Sequence, residues 1–270
     1  MQGPAGLGGF SLVVALAAWA APAGAAPAPY VIGVIPQAPP VAMHERWSPF
    51  VERLAAQSGV PLRLKLYRDM AEFERDFLAG GPDLIFAHPA MAVDAHRRQG
   101  YIPLVRDRRR LSALLFVRKG SPFERPRDLE GRSIAFVGAH SYCTFLIKSM
   151  LEEDKNRIRF DGQRSGSTQN VLRAVILGKA DAGAALDLSL ELEPEEMRQH
   201  VRPIFATPGT ASHPIAAHPR VASEVRSKLA TAILDMARDE ADRRLLAAIR
   251  MPNPETADYD RDYRPLERKR

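Results

Sequence analysis

Apolar and polar positions follow two different periods along this chain. In residues 46–58 the apolar side chains recur at the i, i+3, i+4, i+7 spacing that places them on one helical face. Residues 61–67 alternate apolar with basic side chains, which is typical of a half-buried strand. Short β-rich segments at 30–35, 83–86 and 102–105 are separated by helix-like segments and short links. This alternation predicts a parallel sheet with crossover helices.

The same alternation starts again after residue 110. Strand-like segments occupy 111–117, 133–137, 181–185 and 201–206, with helix-like segments at 141–153 and 168–178. We therefore expect two α/β lobes: residues 30–110 with 208–250 form the first and residues 111–207 the second. The chain passes between them twice, and clefts between lobes are where small ligands bind.

The C-terminal part carries no strand pattern. Residues 219–250 are rich in Ala, Leu and Arg and predict one long helix. Residues 251–270 are polar and charged, and they predict a tail that lies on the surface or is disordered.

An export signal precedes the α/β region. Residues 10–21 are almost wholly apolar but shorter than the roughly 20 residues that a membrane-spanning helix needs. Small residues at 23–25 offer a cleavage pattern, so we interpret residues 1–25 as a signal peptide. No later segment is long and apolar enough to span a membrane, so we expect an exported, soluble mature chain.

Composition excludes some functions. The chain has 38 Lys and Arg against 32 Asp and Glu, a net charge of +6. That small, dispersed excess does not indicate a nucleic-acid partner but suits an anionic small ligand. A single cysteine, Cys143, excludes an intramolecular disulfide framework. No Gly-x-Ser-x-Gly, His-Glu-x-x-His or Walker motif occurs, so we expect no enzymatic activity.

Several short motifs stand in a shared order and spacing. They are GVIP at 33–36 with RWSP at 46–49, GPDLIF at 81–86 followed by Pro89-Ala90, RDLEGRSIAFV at 127–137, and GS at 166–167 with VLRAVILGKADAGAA at 171–185. Together they resemble the phosphate/phosphite/phosphonate-binding periplasmic proteins of ABC transporters.

The resemblance implies a fold and a function. The fold is the α/β, two-lobe type II periplasmic binding protein, in which each lobe is a mostly parallel sheet flanked by helices and the ligand cleft lies between the lobes. The expected ligand is a small oxyanion (phosphonate, phosphite or phosphate-like), and the expected protein partner is a membrane permease. We expect a periplasmic monomer without cofactor, metal or nucleic-acid partner.

Residues 137–145 run from a strand end into a helix start. The first amides of a helix lack intrahelical acceptors and carry partial positive charge, so an oxyanion docks there without a metal. Ser141 is placed to cap this helix and donate its hydroxyl, and Thr144 adds a second hydroxyl. The family reads roughly Ser-Thr-Ser-Gly-Tyr here. Tyr142 and Cys143 therefore replace two small hydroxyl residues, with the Tyr142 phenol or the Cys143 thiol as the candidate substitute. The alternative is that Ser141 only caps the helix.

A second turn enters a helix at residue 166. Ser167 and Thr168 are candidate donors there, and the family often has His where Thr168 stands. An ordinary helix cap is an equally good interpretation.

Three further candidates follow strands of the first half. Gln37, Tyr67 and His88 each come at or just beyond a strand end, and the carboxyl ends of parallel strands face the crevice in α/β sheets. The alternatives are a polar loop residue, a half-buried strand tyrosine and a turn histidine.

Two charged features complete the candidates. Asp187 follows the strand at 181–185, where the family commonly has an acid facing the ligand, but it serves equally as a helix cap. The basic run at 106–110 either attracts anions or forms a solvated loop.

Other classes of protein stay open. The seven histidines and Cys143 allow a periplasmic metal- or redox-associated binding protein, although their spacing forms no compact ligand set. A ligand-sensing module or an enzyme on the same fold are further alternatives.

Overall fold

The computed structural model describes residues 28–153 and 157–269. The signal peptide predicted for residues 1–25 lies outside the described residues. The strands are β1 (Tyr30–Val34), β2 (Leu62–Lys65), β3 (Leu84–Phe86), β4 (Ile102–Asp107), β5 (Ala113–Arg118), β6 (Arg132–Phe136), β7 (Phe160–Arg164), β8 (Ala182–Leu186), β9 (Val201–Ala206), β10 (Pro214–Ala217) and β11 (Pro254–Thr256).

The helices are α1 (Pro40–Ser58), α2 (Met70–Leu78), α3 (Pro89–Gln99), α4 (Tyr142–Glu152), α5 (Thr168–Ile176), α6 (Asp187–Glu191), α7 (Glu195–Arg198), α8 (Ser223–Met236), α9 (Glu240–Ala248) and α10 (Tyr259–Asp262), with 3-10 turns at Pro126–Leu129 and Arg264–Lys269. Within the described residues, no helix combines the length and apolarity needed to cross a bilayer.

The first sheet has six strands in the order β11–β4–β10–β3–β1–β2. β1 pairs in parallel with β2 and β3, and each of these three strands is followed by a helix. β10 is antiparallel to both β3 and β4. The second sheet has the order β7–β6–β8–β5–β9 and repeats this plan, because β6 pairs in parallel with β7 and β8 while β5 is antiparallel to β8 and β9.

The two sheets are joined by two extended segments. One runs from β4 to β5 through residues 108–112, and the other runs from β9 to β10 through residues 207–213. The segments pair where Leu111 and Thr210 exchange two backbone hydrogen bonds, each 2.9 Å long. The returning strands β5 and β10 therefore run against their neighbours, which makes each sheet mixed at the side where the chain crosses.

Each sheet builds its own core. Helix α1 covers the first sheet with the apolar face that the sequence predicts, and it ends at Gly59 in the left-handed conformation (φ 68°). The second sheet is covered by α4 on one side and α5 on the other side, with separate buried clusters. The two-sheet α/β architecture predicted from the alternating pattern is confirmed.

The single helix predicted over residues 219–250 is wrong. Helix α8 ends at Met236, and α9 starts after Asp239, whose carboxylate accepts a hydrogen bond from the Asp242 amide at 3.0 Å. Asp239 caps α9, because its side chain accepts a hydrogen bond from an amide that has no acceptor within the helix.

The prediction that residues 251–270 form a polar tail is also wrong for residues 251–269, which the structure describes. β11 adds to the edge of the first sheet by pairing with β4. Tyr259, Tyr263 and Leu266 recur at i, i+4, i+7 and pack in one buried cluster with residues of α3. Charged residues lie between these three apolar residues, so the overall composition of the segment indicates a polar tail although its apolar positions share one face.

Candidate ligand-binding site between the two sheets

Six sequence-predicted residues stand at or just beyond the ends of parallel strands. In the first sheet Gln37 follows β1, Tyr67 follows β2 and His88 follows β3; in the second sheet Ser141 follows β6, Ser167 follows β7 and Asp187 follows β8. The carboxyl edge of such a sheet is where helices begin, so it presents helix N-termini to a ligand.

The two carboxyl edges face each other. The His88 ring, on the first sheet's side, stacks on the Tyr142 ring of the second at 5.4 Å between centroids and 21° between planes. Further out, the His140 Nδ1 lies 3.6 Å from the Glu74 Oε2. These contacts bring the N-terminal ends of α3 and α4 together.

The start of α4 holds an incompletely satisfied first turn. Ser141 is the N-cap residue, but its hydroxyl makes no capping bond and lies 3.0 Å from the Cys143 Sγ. The Phe145 amide donates to the Ser141 carbonyl at 3.1 Å, whereas the amides before it have no intrahelical acceptor. Thr144 is 2% exposed, and its Oγ1 makes no hydrogen bond to an oxygen or nitrogen atom of the described residues, although it lies near enough to the Cys143 thiol to oppose the rise of that thiol's pKa.

The start of α5 lies beside the start of α4. The Ser165 and Gly166 amides donate to the carbonyls of Phe136 and Val137 at 2.8 and 2.9 Å, which joins the two loops. Gly166 has a φ of +84°, a conformation that favours glycine. Ser167 caps α5 by accepting from the Asn170 amide at 3.2 Å, and Thr168 is half-buried in the first turn.

The Tyr142 side chain is engaged within the protein. It is 3% exposed, and its hydroxyl donates to the Thr210 Oγ1 at 2.8 Å. Burial raises its pKa well above the ordinary value, so the phenol stays protonated and acts as a donor. The phenol therefore uses its proton in the hydrogen bond to Thr210 on the crossing segment.

The first-sheet candidates have partners of their own. The His88 Nδ1 accepts a hydrogen bond from the Met91 amide at 3.2 Å and so caps α3. The Tyr67 hydroxyl donates to the Asp76 carboxylate at 2.7 Å, and burial together with this carboxylate raises the tyrosine pKa. Exposed Gln37 has its Nε2 3.3 Å from the His213 Nε2.

Asp187 pairs with the basic crossing segment. Its Oδ1 accepts from the Leu188 amide at 2.7 Å, and its Oδ2 lies 3.8 Å from the Arg109 guanidinium. Arg109 also binds the Glu191 carboxylate at 2.7 Å. Part of the arginine-rich run is therefore held by acids of α6.

Sequence reasoning did not assign two residues of this region to the anion site: it missed Thr210, and it considered His213 only as one of seven histidines for a metal site. Thr210 receives the Tyr142 hydroxyl, and His213 stacks on Phe86 at 5.5 Å while meeting Tyr142 edge-on. Burial lowers the pKa of His213 to about 3, and Arg250 adds to this effect, so the ring is neutral at neutral pH. Their only sequence signal was a position on the segment that joins the two halves.

A metal or redox centre is not favoured here. Among the described residues, no group of three or more His, Cys, Asp or Glu side chains is placed to hold a metal ion. Cys143 is buried, and burial raises the pKa of its thiol against the opposing effects of the Ser141 and Thr144 hydroxyls. A protonated, inaccessible thiol is a poor metal ligand and a poor nucleophile.

Two α/β sheets, joined by two crossing segments and facing each other with their carboxyl edges, define a two-lobe periplasmic binding protein of type II. The model of a family described as the periplasmic substrate-binding protein of phosphonate ABC transporters matches residues 32–263. The chain belongs to this family, which confirms the resemblance. Its family role is transport, and the proteins of the family are periplasmic.

Solved structures show the same fold. A binding protein component of an ABC phosphonate transporter from Pseudomonas aeruginosa has a TM-score of 0.71 at 15% identity over 89% of this chain and 84% of its own. PhnD1 from Prochlorococcus marinus, in complex with methylphosphonate, has a TM-score of 0.74 at 16% identity over 89% and 96%. A Xanthomonas citri protein bound to chloride has a TM-score of 0.77 at 20% identity over 89% and 96%. No curated protein matches the chain.

Proposed function

We propose that this periplasmic binding protein captures a small oxyanion with a phosphonate-, phosphite- or phosphate-like head between its two lobes, at the N-termini of α4 and α5. The observation that carries the proposal is the Thr144 hydroxyl. It is buried in the first turn of α4 and makes no hydrogen bond to an oxygen or nitrogen atom of the described residues. The methylphosphonate bound to the Prochlorococcus marinus relative supports this ligand class.

The physical basis is the pairing of two helix ends. Each N-terminus carries about half a positive charge, and its first amides point outward as donors. The loops before α4 and α5 are tied together by two backbone hydrogen bonds, so the two partial charges act on the same place. An anion held by such donors needs no metal.

The departures from the family pattern shift the donor set. At two positions where the family has small hydroxyl residues, this chain has Tyr142, whose hydroxyl is bound to Thr210, and Cys143, which is buried. More of the ligand's hydrogen bonds then fall to main-chain amides and to Ser141, Thr144, Ser167 and Thr168. Amides recognise an anionic oxygen but not the group on the opposite side of the phosphorus.

The transport role sets the remaining expectations. In this proposal residues 30–110 with 208–250 form one lobe and residues 111–207 the other. Residues 251–269 join the first lobe through β11. The exported monomer delivers its ligand to a membrane permease and carries out no chemistry.

Isothermal titration calorimetry tests the proposal. The mature chain is titrated with phosphate, phosphite and methylphosphonate, with sulfate as a tetrahedral dianion that has no proton to lose or gain near neutral pH and choline as a cationic control. We expect saturable binding of at least one phosphorus oxyanion and none of choline. Absence of binding by all three phosphorus oxyanions would contradict the proposal.

A further inference from the structure

One aromatic side chain crosses the boundary between the two lobes. Tyr142 belongs to α4 of the second sheet, but its ring stacks on His88 at the first sheet's edge and meets His213 edge-on at 6.3 Å. The ring is 3% exposed, although it lies where the two halves meet. Both halves must therefore be close together for this residue to be buried.

The Tyr142 hydroxyl is fixed to the crossing segments. It donates to the Thr210 Oγ1 at 2.8 Å, and the Thr210 hydroxyl in turn donates to the Leu111 carbonyl at 3.2 Å. Thr210 and Leu111 are the residues whose backbones bridge the two crossing segments. Tyr142 thus connects α4, the first lobe and both connections between the lobes.

Other contacts across this boundary are of a different kind. The His140–Glu74 pair is separated by 3.6 Å, with side chains 53% and 33% exposed, and exposed pairs of this sort contribute little. Ala90 of α3 packs into the buried cluster of the second sheet but presents only a methyl group. Among the residues that the structure describes, the large buried contact across this boundary is the Tyr142 ring.

We propose that Tyr142 is a latch that holds the two lobes closed before any ligand binds. Opening the cleft exposes the ring to water and separates it from His88, and aromatic pairs favour the stacked arrangement beyond the area that they bury. The latch goes beyond the proposed function because it requires no oxyanion. Its consequence is that the ligand meets a population already closed, so less of its binding free energy is used for closure.

The test measures the distance between the lobes without ligand. Val41→Cys on α1 and Leu177→Cys after α5 place spin labels at side chains that are 71% and 66% exposed, whereas Cys143 is 1% exposed and inaccessible to the label. Double electron–electron resonance then compares anion-free mature protein carrying Tyr142 with the Tyr142→Leu variant, which keeps an apolar side chain but loses the stack and the hydroxyl. Circular dichroism verifies that each variant is folded.

We expect one short distance in the protein with Tyr142. In Tyr142→Leu we expect a second, longer distance, with the open-to-closed ratio raised on the order of tenfold. Tyr142→Phe, which keeps the ring, should lie between the two. Leu146→Ala is the control, since Leu146 is buried on the same helix within the second lobe and should not change the distance.

Two results would overturn the latch. One is an open distance in the anion-free protein with Tyr142, and the other is an unchanged short distance in Tyr142→Leu. A separate arm with methylphosphonate added reports on ligand binding alone, so failure of the oxyanion proposal leaves the latch measurement intact.

Discussion

Thr144 combines burial with a hydroxyl that makes no hydrogen bond to an oxygen or nitrogen atom of the described residues. Leaving a buried polar group without a partner costs roughly 1–3 kcal/mol, so folding alone favours an apolar side chain of the same shape. The residue lies in the first turn of an eleven-residue helix at the edge that faces the opposite lobe. In the proposed function, a ligand oxygen is the partner of this hydroxyl.

Replacing this hydroxyl separates binding from folding. Thr144→Val should leave the free energy of unfolding unchanged or slightly higher, because no hydrogen bond to a protein oxygen or nitrogen atom is lost. Affinity for the phosphorus oxyanion should fall about tenfold, within the range for one hydrogen bond to a charged group. Urea unfolding and calorimetry measure the two quantities.

A second buried threonine provides the matched control. The Thr207 Oγ1 accepts a hydrogen bond from the Ala113 amide at 2.9 Å. Thr207→Val should lower the free energy of unfolding by roughly 1–3 kcal/mol, because that amide is left unpaired. If Thr144→Val behaves in the same way and keeps full affinity, Thr144 is a structural residue.

The turn before α5 determines where that helix begins. Gly166 has a φ of +84°, and a Cβ built on it would meet no atom within 4 Å. Gly166→Ala should therefore lower stability only through its backbone conformation, by about 1–2 kcal/mol. Because the turn also aims the first amides of α5, oxyanion affinity should fall as well, as calorimetry can measure.

Gly120 is the counterpart for this prediction. It has a φ of +86° and equally open surroundings. It lies in the turn after β5 and precedes in sequence all residues of the second lobe that are assigned to the site. Gly120→Ala should match Gly166→Ala in urea unfolding and leave affinity unchanged. Equal affinities for the two variants would remove the α5 turn from the site.

The C-terminal segment is fixed to β4 by a buried arginine. The Arg106 side chain is 7% exposed and lies 2.7 Å from the Glu255 carboxylate and 3.0 Å from the Asp262 carboxylate. Burial alone would raise the pKa of Asp262, but hydrogen bonds from Arg261 and Arg106 outweigh it and hold that pKa well below its usual range. The ionised carboxylate therefore stabilises the folded chain.

This pairing predicts acid sensitivity. A depressed carboxyl pKa contributes stability above the unfolded value of about 3.9, and the contribution is lost as the pH falls below it toward the folded pKa. Asp262→Asn should be less stable than the parent at pH 7 by about 2 kcal/mol, less than a fully broken buried pair because Glu255 remains. In thermal unfolding the difference should narrow below pH 4.

The exposed neighbour Asp260 tests the specificity of that effect. Its side chain is 65% exposed and pairs with Arg264. Asp260→Asn should change stability by less than about 0.5 kcal/mol across the same pH range. A pH dependence shared equally by both variants would argue against the buried pairing as its cause.

Much of the element order follows from the sequence alone. The strands before Gln37, His88 and Ser141 and the helices after them are read directly from apolar periodicity and turn residues. The strand β7 before Ser167 was not predicted, because its five residues (FDGQR) carry only one apolar side chain. Periodicity does not indicate which strands that lie far apart in sequence pair with each other. The addition of β11 to β4, and of β10 between β3 and β4, depends on four or fewer residues at each strand.

The sequence predicts the candidate site to the same extent as the fold. The position of each residue at a strand end follows from the pattern, but its partner does not. That Tyr142 donates to Thr210, 68 residues away, and Tyr67 to Asp76 is decided by tertiary packing. The sequence allows the histidines as metal ligands, whereas in the structure His88 caps a helix and His213 stacks on Phe86.

At the scale of the whole molecule, function depends on two sheets whose carboxyl edges face each other. The paired crossing segments at Leu111 and Thr210 hold those edges in register. Family membership sets the transport role, and we propose that the adjacent starts of α4 and α5 provide the donors for an anion.

The most direct measurement is the change in backbone amide chemical shifts, recorded by nuclear magnetic resonance as methylphosphonate or phosphate is added to the mature chain. We predict that the largest changes fall on the amides of residues 142–144 and 168–169. Changes confined to other surfaces, such as the arginine-rich stretch at 238–250, with none at these two helix starts, would contradict it.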